Sequence, residues 1–435
     1  MVNKITNFKN KLFLPVSITC LAYFRIAFGL LMLRDIINYF TLGWIQENYF
    51  DPIFHFKFYG FSWVTAPSYE IVTLAFFCLG LLALCVTLGY LYRFAIILFF
   101  LLYTYIILIE VTVFVEWNYL IALISFLLIF LPANNSLSID IKQNRVKPLT
   151  YIPYWNLWIL QFQFGIVYLF GGISKLNVDW IRGDLVTGWL SHSYSFFGNP
   201  IIITSKVVIQ LLTWSGIFFD LFIIFFLFWR RTRIIAFIAT LFFHIHNIWL
   251  LPVGIFPYLM IIGTALFLAP DALDKSKNHE LNFSHNQFVL ICLSAYCLIQ
   301  LLLPLRHFLY PGNPNWTEEG TRCSWFLYTR HKRTAAQFVI INKNGETYTL
   351  NRERILKILT PRQYKYMLEN PNLILQFSHF LAKTLEEQGE KPEKIMAQVK
   401  AAMNMRPQQW FINPNANLLD FKQSFRHKTW IVPLE

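Results

Sequence analysis

The chain has 435 residues, of which 56% are hydrophobic, 18% aromatic and only 14% charged. Soluble domains carry about 25% charged residues, so this composition excludes a wholly soluble protein and indicates a chain solvated largely by lipid. The net charge of +13 comes with no basic stripe or base-reading motif, which argues against nucleic-acid binding and directs attention to basic loops beside a membrane.

A helix that crosses a bilayer needs about 20 mostly apolar residues. Runs of this kind lie at 20–40, 70–91, 94–115, 118–132, 155–174, 206–229, 234–250, 253–269 and 287–304. They predict a polytopic α-helical membrane protein of about nine spans, with residues 1–304 as its transmembrane domain. Lys4, Lys9 and Lys11 precede the first run, which is long enough to span and has no small-residue cleavage site. It therefore reads as a retained helix and not a signal peptide. The 41–69 loop is rich in Phe, Tyr and Trp and is expected at the outer interface, in an aromatic belt.

With the N-terminus in the cytoplasm, Arg93, then Lys142, Arg145 and Lys147, then Arg230, Arg231 and Arg233 all fall inside. Glu47, Asp51, Glu110 and Glu116 fall outside. This obeys the positive-inside rule, and an odd number of spans puts the C-terminal tail outside. The surrounding compartment reads as the exterior of a bacterial inner membrane, or alternatively the ER lumen. The 270–286 loop, with Asp271, Asp274, Lys275 and Lys277, is neutral and decides nothing. Cys20, Cys78, Cys85, Cys292 and Cys297 fall in apolar runs and only Cys323 lies beyond them, so no disulfide framework is expected.

Residues 305–435 read as an external mixed α/β domain. Gln337–Ile341 and Thr347–Leu350 alternate around Asn344-Gly345, a hairpin signal. Thr360-Pro361 opens a helical stretch, with threonine as N-cap and proline in the first turn. Its apolar positions continue through Leu375, Phe380 and Leu385 to Gly389. Ile395–Met403 reads as a further short helix and Thr429–Leu434 as a strand. This tail holds 19 Lys and Arg against 11 Asp and Glu. Such a basic surface suits an acidic partner, and a simply solvated surface equally well.

Ionisable residues inside apolar runs mark either function or a paired network. Arg25, Arg34 and Asp35 lie in the first run, Asp220 in the sixth, and His244 and His246 in the seventh. For Arg25, Asp35 and Asp220 a network that holds the helices together stands beside a functional role. The two histidines are spaced i, i+2 and face different sides of a helix. No third ligand stands at zinc spacing, so no metal is expected. Lys175 ends the fifth run, after Tyr168-Leu-Phe-Gly171-Gly172-Ile-Ser174. An amine deprived of water in an apolar cavity favours its neutral form and can serve as a base. The alternative is a lysine snorkelling to the interface.

Several blocks, in order, resemble the vitamin K-dependent γ-glutamyl carboxylase family, part of the horizontally transferred transmembrane (HTTM) domain group. They are Phe24-Arg25-Ile-Ala-Phe-Gly29-Leu30, then Tyr168 through Lys175-Leu-Asn-Val-Asp179-Trp180-Ile-Arg-Gly183, then Phe243-His244-Ile-His-Asn247 with Gly254-Ile-Phe-Pro-Tyr258. Asn315-Trp316-Thr317-Glu318-Glu319-Gly320 with Ser324-Trp325, and the closing Thr429-Trp430-Ile-Val-Pro433-Leu434, complete the set. The resemblance implies a helical membrane domain with an external α/β domain. It also implies vitamin K hydroquinone as cofactor, with O2 and CO2 as co-substrates. Lys175 would deprotonate the hydroquinone. The oxygenated product would be a base strong enough to take a γ-proton from a peptide glutamate, whose carbanion captures CO2 while the quinone leaves as its epoxide. The partners implied are a glutamate-containing peptide or protein and membrane lipid. By the same resemblance Lys175 is catalytic. His244, Asn247, Trp117 and Trp325 bind the cofactor, Arg330 and Trp316 the substrate, and Arg25, Asp35, Asp179 and Trp180 form a structural network.

Two positions depart from the family pattern. Trp117 stands where the family carries a histidine that supports carboxylation, and Arg330, followed by His331, stands where the animal enzymes carry a histidine. The extra C-terminal region of the animal enzymes is absent, so propeptide-directed processing is not expected. A quinol epoxidase that does not carboxylate, and a non-catalytic membrane protein of the same fold, are the alternatives. No paired broken helices indicate transport.

Overall fold

The predicted apolar runs all become helical: α1 (Thr19–Thr41), α3 (Tyr69–Leu88), α4 (Tyr92–Ile109), α5 (Glu116–Phe130), α6 (Trp155–Ser174), α9 (Lys206–Phe228), α10 (Arg233–Leu250), α11 (Phe256–Ala265) and α12 (Gln287–Leu305). Between them lie the short helices α2 (Trp44–Tyr49), α7 (Val178–Ile181) and α8 (Asp184–Ser193). The structure is a computed structural model that describes residues 8–193, 195–196, 199–200, 205–250, 253–269, 283 and 286–435. Lys4 and the loop charges Asp271, Asp274, Lys275 and Lys277 lie outside them.

By length and composition, five helices among the described residues suffice to cross a membrane: α3, α4, α6, α9 and the run Gln287–Leu309 that contains α12. The expected count of nine is not reached on this measure. Helix α1 carries Arg25, Arg34 and Asp35, and α5, α10 and α11 are shorter apolar helices.

The α1 charges do not form one network. Arg25 is fully buried and donates to the carbonyls of Ala133 (2.9 Å), Ser136 (3.3 Å) and Leu137 (2.6 Å). It thereby fixes the turn that follows α5, and those acceptors offset the cost of burying its charge. Asp35 instead lines a separate small cavity with Tyr39, Tyr49, Tyr103 and Asn118.

A glycine governs how α6 meets α9. A Cβ on Gly172 would come within 2.8 Å of the Leu221 backbone nitrogen and side chain. The bare glycine therefore lets the two helices approach closely, as small residues do between membrane helices. This approach sets the end of α6 against the middle of α9.

The C-terminal domain is built on a four-stranded antiparallel sheet in the order β2-β1-β3-β4, comprising β1 (Lys332–Asn342), β2 (Thr347–Leu350), β3 (Pro392–Met403) and β4 (Gln409–Trp410). The predicted hairpin turns at Gly345, whose φ of +87° suits only glycine without strain. Thr360 caps α13 (Pro361–Glu369) through a capping box with Gln363. The predicted continuous helix is interrupted, because Asn370-Pro371 ends α13 and starts α14 (Pro371–Glu387).

Two tail expectations are corrected. Ile395–Met403 is not a helix but most of strand β3, paired with β1 along its length. Its Ala, Met, Gln and Lys residues favour helix locally. The period-2 burial of Ile395, Ala397, Val399 and Ala401 shows that packing against α13 and α14 overrode that preference. The segment 429–434 contributes only a single bridge, Ile431 to Ile412.

The aromatic 41–69 loop, expected in an aromatic belt, packs in part against the C-terminal domain. Phe54, Phe56 and Phe58 join the core of the C-terminal domain, with Phe54 stacked on Phe380 at 4.3 Å. Gln376 clasps the Lys57 main chain from both sides, at 2.9 Å each. Glu110, at the end of α4, accepts from Phe56 N (3.1 Å) and Gln363 Nε2 (2.9 Å). The sheet domain is thus fastened to the helices by buried polar contacts as well as by aromatic packing.

Candidate active site

Lys175 is the C-cap of α6, and α9 supplies its partner. Its ammonium nitrogen contacts Asp220 Oδ2; each residue is 7% exposed. Nζ also lies 5.2 Å from the centre of the Trp180 ring, a cation–π distance. A snorkelling lysine keeps its head in water; this one is turned inward against a carboxylate.

Tyr168 lies two turns before Lys175 on α6, and its hydroxyl is 2.6 Å from His244 Nε2 on α10. His244 is 1% exposed and its Nδ1 is buried with no hydrogen-bond partner among the described residues. Phe243 and Phe256 flank the imidazole edge-on at 5.3 and 6.3 Å. A neutral imidazole carries one donor and one acceptor, so whichever role Tyr168 engages, the other is left over at Nδ1.

These residues line one cavity of about 1040 Å³, its open mouth included. Ligand pockets are largely apolar, with a few polar groups that fix orientation. The walls here are Val167, Val186, Trp189, Val253, Phe256 and Met260, among others, and the polar groups include Lys175, Asp220, His244, His246 and Asn247. His246 therefore shares the cavity with His244 despite the i, i+2 spacing. Leu327 and Tyr328 of the C-terminal domain complete the lining. Trp180, Trp189 and Tyr328 form a run of edge-on rings at 5.3 and 6.2 Å, which carries the wall from the helices onto that domain.

The segment that delivers Leu327 and Tyr328 has an unusual backbone. Glu318, Cys323, Trp325 and Tyr328 have φ of +61°, +58°, +62° and +54°. Bulky residues rarely adopt this region, and each instance costs about 1–3 kcal/mol. Surrounding contacts hold the segment. Cys323 N donates to Glu116 Oε1 (3.0 Å), Ser174 Oγ to the Trp325 carbonyl (3.4 Å), and Trp325 packs on Tyr119 at 5.3 Å.

The remaining candidates fall elsewhere. Trp117 does not line the cavity; it sits behind Phe256, at 6.3 Å. Trp325 is likewise one layer back and fully buried. Trp316, read as a substrate contact, is fully buried in the core of the C-terminal domain. Its indole donates to the Val432 carbonyl (2.7 Å), so it offers no surface to a substrate. Arg330 is engaged by Glu318, which also takes Lys332 Nζ at 2.7 Å. Burial pushes the Glu318 carboxyl up, but Arg330 and Lys332 outweigh that and hold it below its ordinary value. Asp179 does enter a network, with partners outside the predicted set. Arg406 grips it at 2.7, 3.0 and 3.1 Å, and Asn404 Nδ2 donates to it at 2.8 Å.

Sequence reading missed the pairing of Asp220 with Lys175 and the roles of Tyr168, Trp189 and Tyr328 as cavity walls. Asp220 did carry a signal, as an isolated carboxylate in an apolar helix. The aromatic residues carried none in a chain so rich in them.

Two family models match the chain. The HTTM domain matches residues 13–272, and the vitamin K-dependent gamma-carboxylase lumenal domain matches residues 285–435. No solved structure matches it.

Proposed function

This chain belongs to the vitamin K-dependent γ-glutamyl carboxylase family, and from that premise we propose that it carboxylates peptide glutamate at the expense of a reduced quinone, with Lys175 as the base. The observation that carries this reading is a buried lysine, paired with a carboxylate, on the wall of a mostly apolar cavity to which the C-terminal domain contributes.

The cavity suits a reduced vitamin K. Trp180, Trp189, Phe243 and Phe256 offer apolar walls for its ring and tail, while Lys175, His244 and Asn247 are among the polar groups available to its oxygens. When bound, with O2, the quinol supplies the strong base that no side chain can provide. The chain's own residues manage protons and water around it. Lys175 accepts a proton only as the free amine, and Asp220 is placed to hold the proton that its ammonium gives up. Tyr168 fixes one nitrogen of His244 and leaves Nδ1 to a bound group. The aromatic wall excludes water, which would quench a strong base.

We place the C-terminal domain on the external face. Arg93, Lys142, Arg145, Lys147, Arg230, Arg231 and Arg233 then share the cytoplasmic side. Domain limits of 1–304 and 305–435 accompany this topology.

Trp117 supports a second reading, in which quinol oxidation to the epoxide persists without carboxylation. An indole can donate one hydrogen bond but cannot accept or relay a proton. Purified protein incubated with reduced vitamin K, oxygen, labelled bicarbonate and a glutamate-rich peptide distinguishes the two. Epoxide with acid-stable label supports the carboxylase. Epoxide alone supports the second reading, and Trp117→His should then raise labelling. Folded protein that yields neither product rejects both.

A further inference from the structure

The basic excess of the tail has a location. Residues directly opposed across an antiparallel pair share a face of the sheet. In the observed register Ala335 opposes Lys400, Arg333 opposes Ala402, and Ile341 opposes Lys394. Trp410 opposes Lys400 from the other side. The alternate residues, Phe338 and Ile395 among them, are buried in the core with α13 and α14. The outer face therefore presents Arg333, Lys394 and Lys400, all exposed.

Among the paired positions of these strands, no carboxylate shares that face. The other outward positions of β1, β2 and β3 are Ala, Gln, Val, Ile, Thr and Met. Glu346 and Glu390 lie beyond the strands, each hydrogen-bonded to neighbours, and Glu393, the unpaired residue of the bulge beside Lys394, is exposed at the far end of the face from Arg333 and Lys400. Arg333 and Lys400 stand diagonally on adjacent strands, about 7–8 Å apart, with Ala335 and Ala402 as their direct partners. Such a run of like charge suits an anionic partner. Lys400 lies 4.6 Å from the Trp410 ring centre, which adds an aromatic surface beside the charge.

The face also begins near the cavity. Arg333 is five residues beyond Tyr328, so chain connectivity keeps it within about 17 Å of that wall. From there β1 runs some 35 Å.

We propose that the outer face of this sheet docks an acidic peptide segment and so tethers a substrate beside the Lys175 cavity. The docking rests on the charge pattern; only the identity of the tethered molecule as a carboxylation substrate rests on the reading above.

The test is fluorescence anisotropy of a labelled glutamate-rich peptide on the full-length protein without quinone, with the glutamine analogue as control. The glutamate peptide should bind, the analogue should not, and salt should weaken binding steeply. The triple variant Arg333→Gln/Lys394→Gln/Lys400→Gln should lose about tenfold in affinity. Ala335→Asp, which sets a carboxylate between Arg333 and Lys400, should act in the same direction. All these sites are exposed, and unfolding curves matching the parent will show that the variants fold. Equal binding of the two peptides, or unchanged affinity in both variants, overturns the proposal. In the turnover assay the triple variant should raise the KM for peptide with kcat unchanged. Absence of label from the parent protein rejects the carboxylase reading, and the anisotropy result still decides the docking.

Discussion

Replacing Lys175 and Asp220 singly and together separates their structural role from their chemistry. Each is 7% exposed and each is the other's ionic partner. Removing one leaves an unpaired charge in an apolar cavity, which costs about 3–5 kcal/mol, whereas replacing a buried pair by apolar residues is often near neutral. Lys175→Met and Asp220→Leu should each lower stability by that amount. The double variant should recover to within about 1 kcal/mol of the parent, a coupling of several kcal/mol in a double-mutant cycle. Reversible unfolding in mixed micelles, followed by circular dichroism, measures all four proteins. Quinol consumption should vanish in Lys175→Met and stay absent in the double variant, although its stability has returned. Additive losses within about 0.5 kcal/mol would falsify the pairing, and quinol consumption by the double variant would remove Lys175 from the chemistry.

Gly172→Ala should destabilise by about 1–3 kcal/mol through overpacking against Leu221 and reduce activity, because it parts α6 from α9. Gly171→Ala should be milder, since its nearest atom, Asp220 Oδ2, lies at 3.6 Å; unfolding and turnover of the two variants give the comparison. The Glu318 carboxyl is held below its unfolded value of 4.5. Its contribution to stability is therefore complete above that pH and is lost as pH falls through the lower folded value. Glu318→Gln should flatten that acid limb in unfolding curves and, by stranding Arg330 and Lys332, cost about 3–5 kcal/mol at neutral pH. Arg406→Ala leaves Asp179, 3% exposed, without its ion pair. It should speed hydrogen exchange at Asn404, whose backbone N–H donates to His331, and Arg406→Lys should recover part of the loss.

The sequence by itself determined the features whose causes are local. Apolar runs located the helices, because a membrane core demands apolar side chains over a fixed length. Asn344-Gly345 and Thr360-Pro361 located a turn and a helix start, because backbone geometry there admits few residues. The order of matching blocks pointed to the family, and Lys175 stood out as a charge at the end of an apolar run. What lay beyond reach was every choice made between distant segments. Ile395–Met403 satisfies helix propensity taken alone and became a strand only because β1 was there to pair with it. Trp316, which reads like a recognition residue, was absorbed into a core. Asp220 lies 45 residues from Lys175 and Arg406 lies 227 from Asp179, and neither separation leaves a mark on local composition. Tertiary structure decided these partnerships because a buried charge must find a counterion or hydrogen-bond acceptors wherever packing brings them, and packing is a property of the whole fold.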